Sequence, residues 1–204
     1  MFKKIFILPI VFFCFSANAN ECMAYKIKPK ITVITPEYEK QVVPSQEPMN
    51  LLHGNVVATL VDNYDIVTEI TPVENGYCIW LKSVEAAIGY TNFLVQIDSR
   101  HGLKTCSYRA ILNHENRHID AYLSVIEDNK YELYDAIYSG ADSIMPIFIT
   151  SEADANSAIE KMNNELQSHP DVVLAIQKLH ADEEINNKNI DRQENYAELR
   201  QCLQ

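Results

Sequence analysis

His114-Glu115-Asn116-Arg117-His118 sets two imidazoles four residues apart, with a carboxylate beside the first. On a helix that spacing puts both rings on one face, near enough to share one cation. Glu115 then lies beside the ion instead of on it. There it can take a proton from a water that zinc has made acidic. The expected roles are His114 and His118 as zinc ligands and Glu115 as general base. The chain holds only six histidines, so a chance match at all three positions is rare.

A helical wheel, at about 100° per residue, tests this placement. With His114 at zero, His118 falls near 40° and Glu115 near 100°. Ile111, Tyr122 and Val125 share that sector, and Leu112, Ile119, Leu123 and Ile126 extend the apolar half. Asn113, Asn116, Arg117, Asp120, Ser124 and Arg109 take the other half. The ionisable trio therefore sits on the inward face, where burial is costly without a reason. A lone histidine there is usually a satisfied core residue; a metal accounts for all three together.

A catalytic zinc needs three protein ligands and one open position. The metzincin extension would require Gly at position 121 and His at 124, where this chain has Ala121 and Ser124. Asp120 points to the opposite side, and Glu127 lies about half a turn from His118. The third ligand must come from a later helix. Glu152, Asp154, His169, His180, Glu183, Glu184, Asp191 and Glu194 are the candidates. Most would simply be solvated, and Asp191-Arg192-Gln193-Glu194 also fits a helix capping box.

The stretch from Cys106 to His118 resembles that of secreted bacterial HExxH proteins of the zincin-like class, whose protease activity is itself inferred from the motif. That group has a late Asn-x-x-(aromatic or aliphatic)-Asp segment, and Asn187-Lys188-Asn189-Ile190-Asp191 is similar to it. The resemblance spans roughly residues 77–202. It implies a zincin-like fold, a peptide substrate and Asp191 as third ligand. Cys106 and Cys202 also look like that group's pattern. If Asp191 reaches the metal, the final helix must pack near the metal helix. A Cys106–Cys202 bond would then join the two, leaving Cys22 for Cys78.

The elements that must hold these residues divide the chain in two. From Tyr25 to about Arg100 the pattern is β-like. Lys26–Thr35 alternates, and Pro36, Pro44 and Pro48 punctuate a loop. Val56–Val61 and Tyr64–Thr71 predict a hairpin about Asp62-Asn63. Tyr77–Val84 and Tyr90–Asp98 predict two further strands, split near Gly89, with Tyr77 and Trp80 packing the sheet. From about Thr105 the signal is helical, as one long helix or two, up to Gly140 and Pro146. Ser151-Glu152-Ala153-Asp154 opens another helix to about Ser168. Pro170 starts the next, to about Asn189. Asp191–Cys202 is a short last one. Strands first and helices after predict an α+β fold: an antiparallel sheet against a helical half.

Lys3 and Lys4, the apolar run Ile5–Phe15 and Ala17-Asn18-Ala19 read as a signal peptide over residues 1–19. Cys14 follows bulky Phe12 and Phe13, which argues against acylation. Removing the leader leaves one 185-residue domain, 20–204, and takes the net charge from −11 to −13. An acidic chain without basic clusters argues against nucleic acid as a partner. No later stretch predicts a transmembrane anchor. The expected place is the periplasm or beyond, with protein or peptide substrates. Cys22, Cys78, Cys106 and Cys202 remain, with no Cys-x-x-Cys spacing, which predicts two disulfides of open connectivity. Gly-x-Ser-x-Gly is absent, so serine hydrolysis has no support. Tyr122 is a core residue or a partner for a bound carbonyl. His101 lines a cleft or merely ends a loop. Two rivals stand beside the peptidase: a zinc that only stabilises, and a zinc-free envelope interaction protein.

Overall fold

The computed structural model describes residues 21–45, 53–192 and 196–202. The expected leader, Pro48 and Glu194 lie outside them. Among the described residues five strands form one sheet: β1 (Lys30–Ile34), β2 (Glu39–Ser45), β3 (Gly54–Val73), β4 (Gly76–Asp98) and β5 (Ile147–Ile149). β4 is its spine. β3 runs antiparallel along one edge of β4, from Gly54 opposite Ile97 to Val73 opposite Gly76. β5, β1 and β2 follow one another along the other edge, at Tyr77–Ile79, Ser83–Ala87 and Asn92–Asp98.

The sheet is mixed, not antiparallel as expected. β1 and β2 both run parallel to β4. The chain does not turn back between them; it continues along the same edge, with Pro36 packed on Gly89. The predicted proline-punctuated loop is therefore partly strand. Pro44 is tolerated in β2 because an edge strand can spare a donor.

The expected hairpin about Asp62-Asn63 is also corrected. Those residues lie in mid-β3, opposite Ile88 and Ala87, and the turn is Glu74-Asn75. Asn75-Gly76 is the stronger turn dipeptide. The two strands expected on either side of Gly89 are likewise one. Register shifts at Thr59/Leu60 and Val67/Thr68 leave Thr91 and Lys82 of β4 as extra residues. Each bulge flips which face the following side chains take. Burial along β4 records this: Ile79 and Leu81, then Val84, Ala86, Ile88 and Tyr90, then Phe93, Val95 and Ile97. Cys78, Gly89 and Asp98 apart, the buried positions run odd, even, odd, and change phase at the two bulges.

Four helices follow among the described residues: α1 (Cys106–Ser143), α2 (Ala155–Gln167), α3 (Pro170–Ile190) and α4 (Ala197–Cys202). A 3-10 turn, Glu152–Asp154, leads into α2, and Ser151 caps it by accepting from the Ala153 amide. Thr105 caps α1 by accepting from the Tyr108 amide at 3.1 Å. The break expected at Gly140 is corrected: α1 runs through it, and Gly140 is buried within the helix. A Cβ there would lie 3.1 Å from Leu166 and 3.3 Å from His169, so the glycine serves close packing of α2 and the start of α3. α1 ends before Pro146, which cannot donate to a further turn. Asp191 closes α3 instead of opening the last helix, which starts at Ala197.

The inward face of α1, with Ile111, Ile119, Val125, Ile126 and Ile137, packs into one core with β4. α3 lies along α1, and buried Asn129 fixes their register. Its amide donates to the Asp182 carboxylate at 3.1 Å and its carbonyl accepts from Lys178. Cys22 is joined to Cys78, and Cys106 to Cys202. These are the pairings that followed from the resemblance, and they agree with an oxidising compartment. No helix among the described residues is long and apolar enough to cross a membrane.

Candidate metal centre

The helical period of α1 brings His114, Glu115 and His118 to its buried face, at 3%, 2% and 9% exposure. Asp120 and Glu127 are exposed. α3 brings the rest. Glu183, Asn187 and Asp191 recur at four-residue intervals, so they form one stripe facing α1. Tyr90 donates to Glu183 at 2.6 Å, and Asn187 meets His118. Asp191 closes the stripe against both imidazoles.

Three ligand atoms converge. His114 Nε2 lies 3.2 Å from Asp191 Oδ1, His118 Nε2 lies 3.1 Å from the same oxygen, and the two nitrogens are 3.3 Å apart. Three donors arranged tetrahedrally at about 2.0–2.1 Å from an ion stand roughly 3.3–3.4 Å from one another. The triangle is close to that size. His114, His118 and Asp191 therefore form a group that could hold a metal ion.

Protonation states sharpen the fit. The Asn187 carbonyl oxygen lies 2.7 Å from His118 Nδ1, while its own amide donates to the Glu183 carbonyl. His118 must then carry its proton on Nδ1, leaving a lone pair on Nε2. That lone pair faces the Asp191 carboxylate, also an acceptor. Two lone pairs across 3.1 Å require a proton or a cation between them. One contact is discordant. Arg117 lies 3.0 Å from His114 Nδ1, and a guanidinium can only donate. Ligation through His114 Nε2 needs a proton on Nδ1, so Arg117 must leave that nitrogen when an ion binds.

Asp191 is tethered by Tyr196, whose hydroxyl donates to Oδ1 at 3.0 Å and whose ring stacks on His114 at 4.5 Å. Burial, with the Asp191 hydrogen bond, pushes the Tyr196 phenol up. Burial also lowers His114, although the Asp191 hydrogen bond opposes it. Glu115 is pushed up to about 8, chiefly by burial and secondarily by Asp191, against the pull of Arg117. A cation at the trio would draw that value down again.

The trio and Glu115 open on a cleft of about 150 Å³ whose other wall is the start of β3, Gly54–Val56. Gly54 is needed there: a Cβ would lie 2.4 Å from Glu115 Oε1. Tyr122 is a packing residue, as one of its two expected roles has it, and it stands at the cleft. It packs on Tyr90, with ring centroids 4.9 Å apart.

Of the later candidates, Asp191 alone reaches the histidines among the described residues. His169 caps α3 by accepting from the Asp171 amide. His180 pairs with Glu183, and Glu184 with Lys188. Glu152 and Asp154 lie in the exposed 3-10 turn. Gly54 and Tyr196 carried no signal in the sequence, since each depends on a strand or helix remote from the motif. Searches of known families, curated proteins and solved structures returned no match to this chain.

Proposed function

We propose that this chain is an exported zinc-dependent peptidase. The observation that carries the reading is the convergence of His114, His118 and Asp191 beside a buried carboxyl group that holds no ligand position, at the edge of an open cleft. His114 Nε2, His118 Nε2 and Asp191 Oδ1 would hold the ion. Zinc supplies Lewis acidity and lowers the pKa of water towards about 7. Glu115 accepts the proton of the attacking water at a carboxylate oxygen. It then returns that proton to the amine nitrogen that leaves. Asn187 holds His118 in the tautomer that offers Nε2, and Tyr196 holds Asp191 against His114. The cleft wall at Gly54–Val56 offers strand backbone beside Glu115, suited to an extended peptide.

Metal analysis with three variants tests the reading. Purified protein should carry about one zinc per chain. His114→Ala and His118→Ala should lose it; Glu115→Gln should keep it and lose peptide hydrolysis by several orders of magnitude. Equal zinc loss in all three variants would make Glu115 a ligand and sink the assigned roles. The rivals separate in the same experiment. A purely structural zinc predicts no hydrolysis to lose, and a metal-free interaction protein predicts no zinc.

A further inference from the structure

The geometry points to a second cation site at His53 and His101, for a divalent transition-metal ion that favours imidazole nitrogen, Cu2+ above the others. It does not rest on the chemistry proposed for the first centre. His53 immediately precedes β3, and His101 lies between β4 and α1. Their facing nitrogens, His53 Nδ1 and His101 Nε2, are 3.1 Å apart.

A chain of hydroxyls settles where the protons lie. Thr105 Oγ1 donates its one hydrogen to the Gly102 carbonyl at 2.8 Å. Ser107 Oγ, 3.1 Å from Thr105 Oγ1, must then be the donor of that pair. With its hydrogen spent, Ser107 accepts from His101 Nδ1 at 2.9 Å. His101 is thereby fixed as the tautomer that presents a lone pair on Nε2. The same ordering argues against Ser107 as a nucleophile, because its proton points away from the imidazole.

The lone pair of His101 meets His53 Nδ1, which supplies the shared hydrogen. A shift of that hydrogen to His53 Nε2 costs no net charge and turns both facing nitrogens into donors to an ion. Two ligand nitrogens at about 2.0–2.1 Å from one ion, 90–110° apart, are separated by roughly 2.9–3.4 Å. The observed gap falls in that range. The His101 side opens on a cleft of about 280 Å³ that Asp98, Ser99 and Gly102 also line, with space for water to complete a coordination shell. Asp98 is held by Arg100 in a two-pronged ion pair, so the cleft carries little net charge.

A second observation marks the same place. His53 has φ 57°, the one positive φ at a non-glycine position among the described residues. Such a conformation is strained for a residue with a side chain and persists where surrounding contacts dictate it. Here the His53 carbonyl accepts from the Asp98 amide at 2.9 Å, and the Asp98 carbonyl accepts from the His101 amide at 3.0 Å. The backbone thus brings the two rings together at the expense of local strain.

Titration with Cu2+ alone, followed by equilibrium dialysis and electron paramagnetic resonance, tests the site. Wild-type protein should take up two Cu2+ per chain. His118→Ala should take up one, with a spectrum showing two coupled imidazole nitrogens. His101→Ala should lose that second ion, as should His53→Asn, which suits the positive φ. Ser107→Ala should weaken it about 10-fold by freeing the His101 tautomer. Circular dichroism establishes that each variant is folded. Two Cu2+ per chain retained by folded His101→Ala and His53→Asn, or no copper in His118→Ala, overturns the site and leaves a hydrogen-bonded pair. Failure of the first centre looks different: wild type would then hold one ion and His101→Ala none.

Discussion

His118 is held from behind, and that is where a single substitution speaks most clearly. Asn187 accepts from His118 Nδ1 and is itself oriented by the Glu183 carbonyl. Asn187→Ala should weaken metal binding by about 10–100-fold, the usual effect of removing such a support. Competition with a chelator would measure it. Affinity equal to wild type would show that the tautomer is set by other means. Gly54 acts on the carboxyl group instead of on the ion. Gly54→Ala places a methyl group 2.4 Å from Glu115 Oε1, so Glu115 or β3 must move. The expected outcome is an unchanged metal content and a turnover lowered by about 10-fold or more, since small misplacements of a catalytic group are costly. Metal loss in parallel with activity would instead mean that the whole site had collapsed.

Among the elements, α1 and α3 decide whether the centre exists at all. α1 supplies two ligands by its own period. α3 delivers the third only if its register along α1 is right, because a shift of one residue rotates Asp191 by about 100°. Asn129 sets that register from within the interface, between the Val125 carbonyl, Asp182 and Lys178. Asn129→Ala should cost about 1–3 kcal/mol by leaving these partners unmatched. It should also weaken metal binding although it lies about three turns from His118. Urea unfolding and a metal titration would be read side by side. A stability within about 0.5 kcal/mol of wild type would assign the register to apolar packing alone.

At the scale of the whole molecule the two disulfides close the fold around the site. Cys106–Cys202 ties the first turn of α1 to the last turn of α4, across a sequence separation of 96. It thereby brings Tyr196, just ahead of α4, back onto His114 and Asp191. Closing a loop of that length stabilises by about 4–5 kcal/mol on the chain-entropy account, less any strain. Cys22–Cys78 anchors the N-terminal segment to the buried start of β4. Reduction should lower the unfolding temperature and also weaken metal binding, and Cys202→Ser should reproduce the second effect. Reduced protein that binds metal with full affinity would show that α4 and Tyr196 contribute nothing to the centre.

The sequence by itself determined what is local. A helical period places His114, Glu115 and His118 on one inward face, and that face is buried. The order of strands and helices, the helix starts near Thr105 and Ser151, and the even cysteine count were legible for the same reason. Each depends on residues a few positions apart or on a simple tally. Asp191 stood as one of eight candidates until the late Asn-x-x-Ile-Asp resemblance singled it out. Its arrival, 77 and 73 residues beyond the two histidines, depends on how α3 lies against α1. The parallel run of β1 and β2, the two bulges of β4 and the close approach of Gly54 to Glu115 likewise required the tertiary structure. Strand register is set by pairings and packing between remote residues, and a one-residue bulge reverses a face without leaving a local mark.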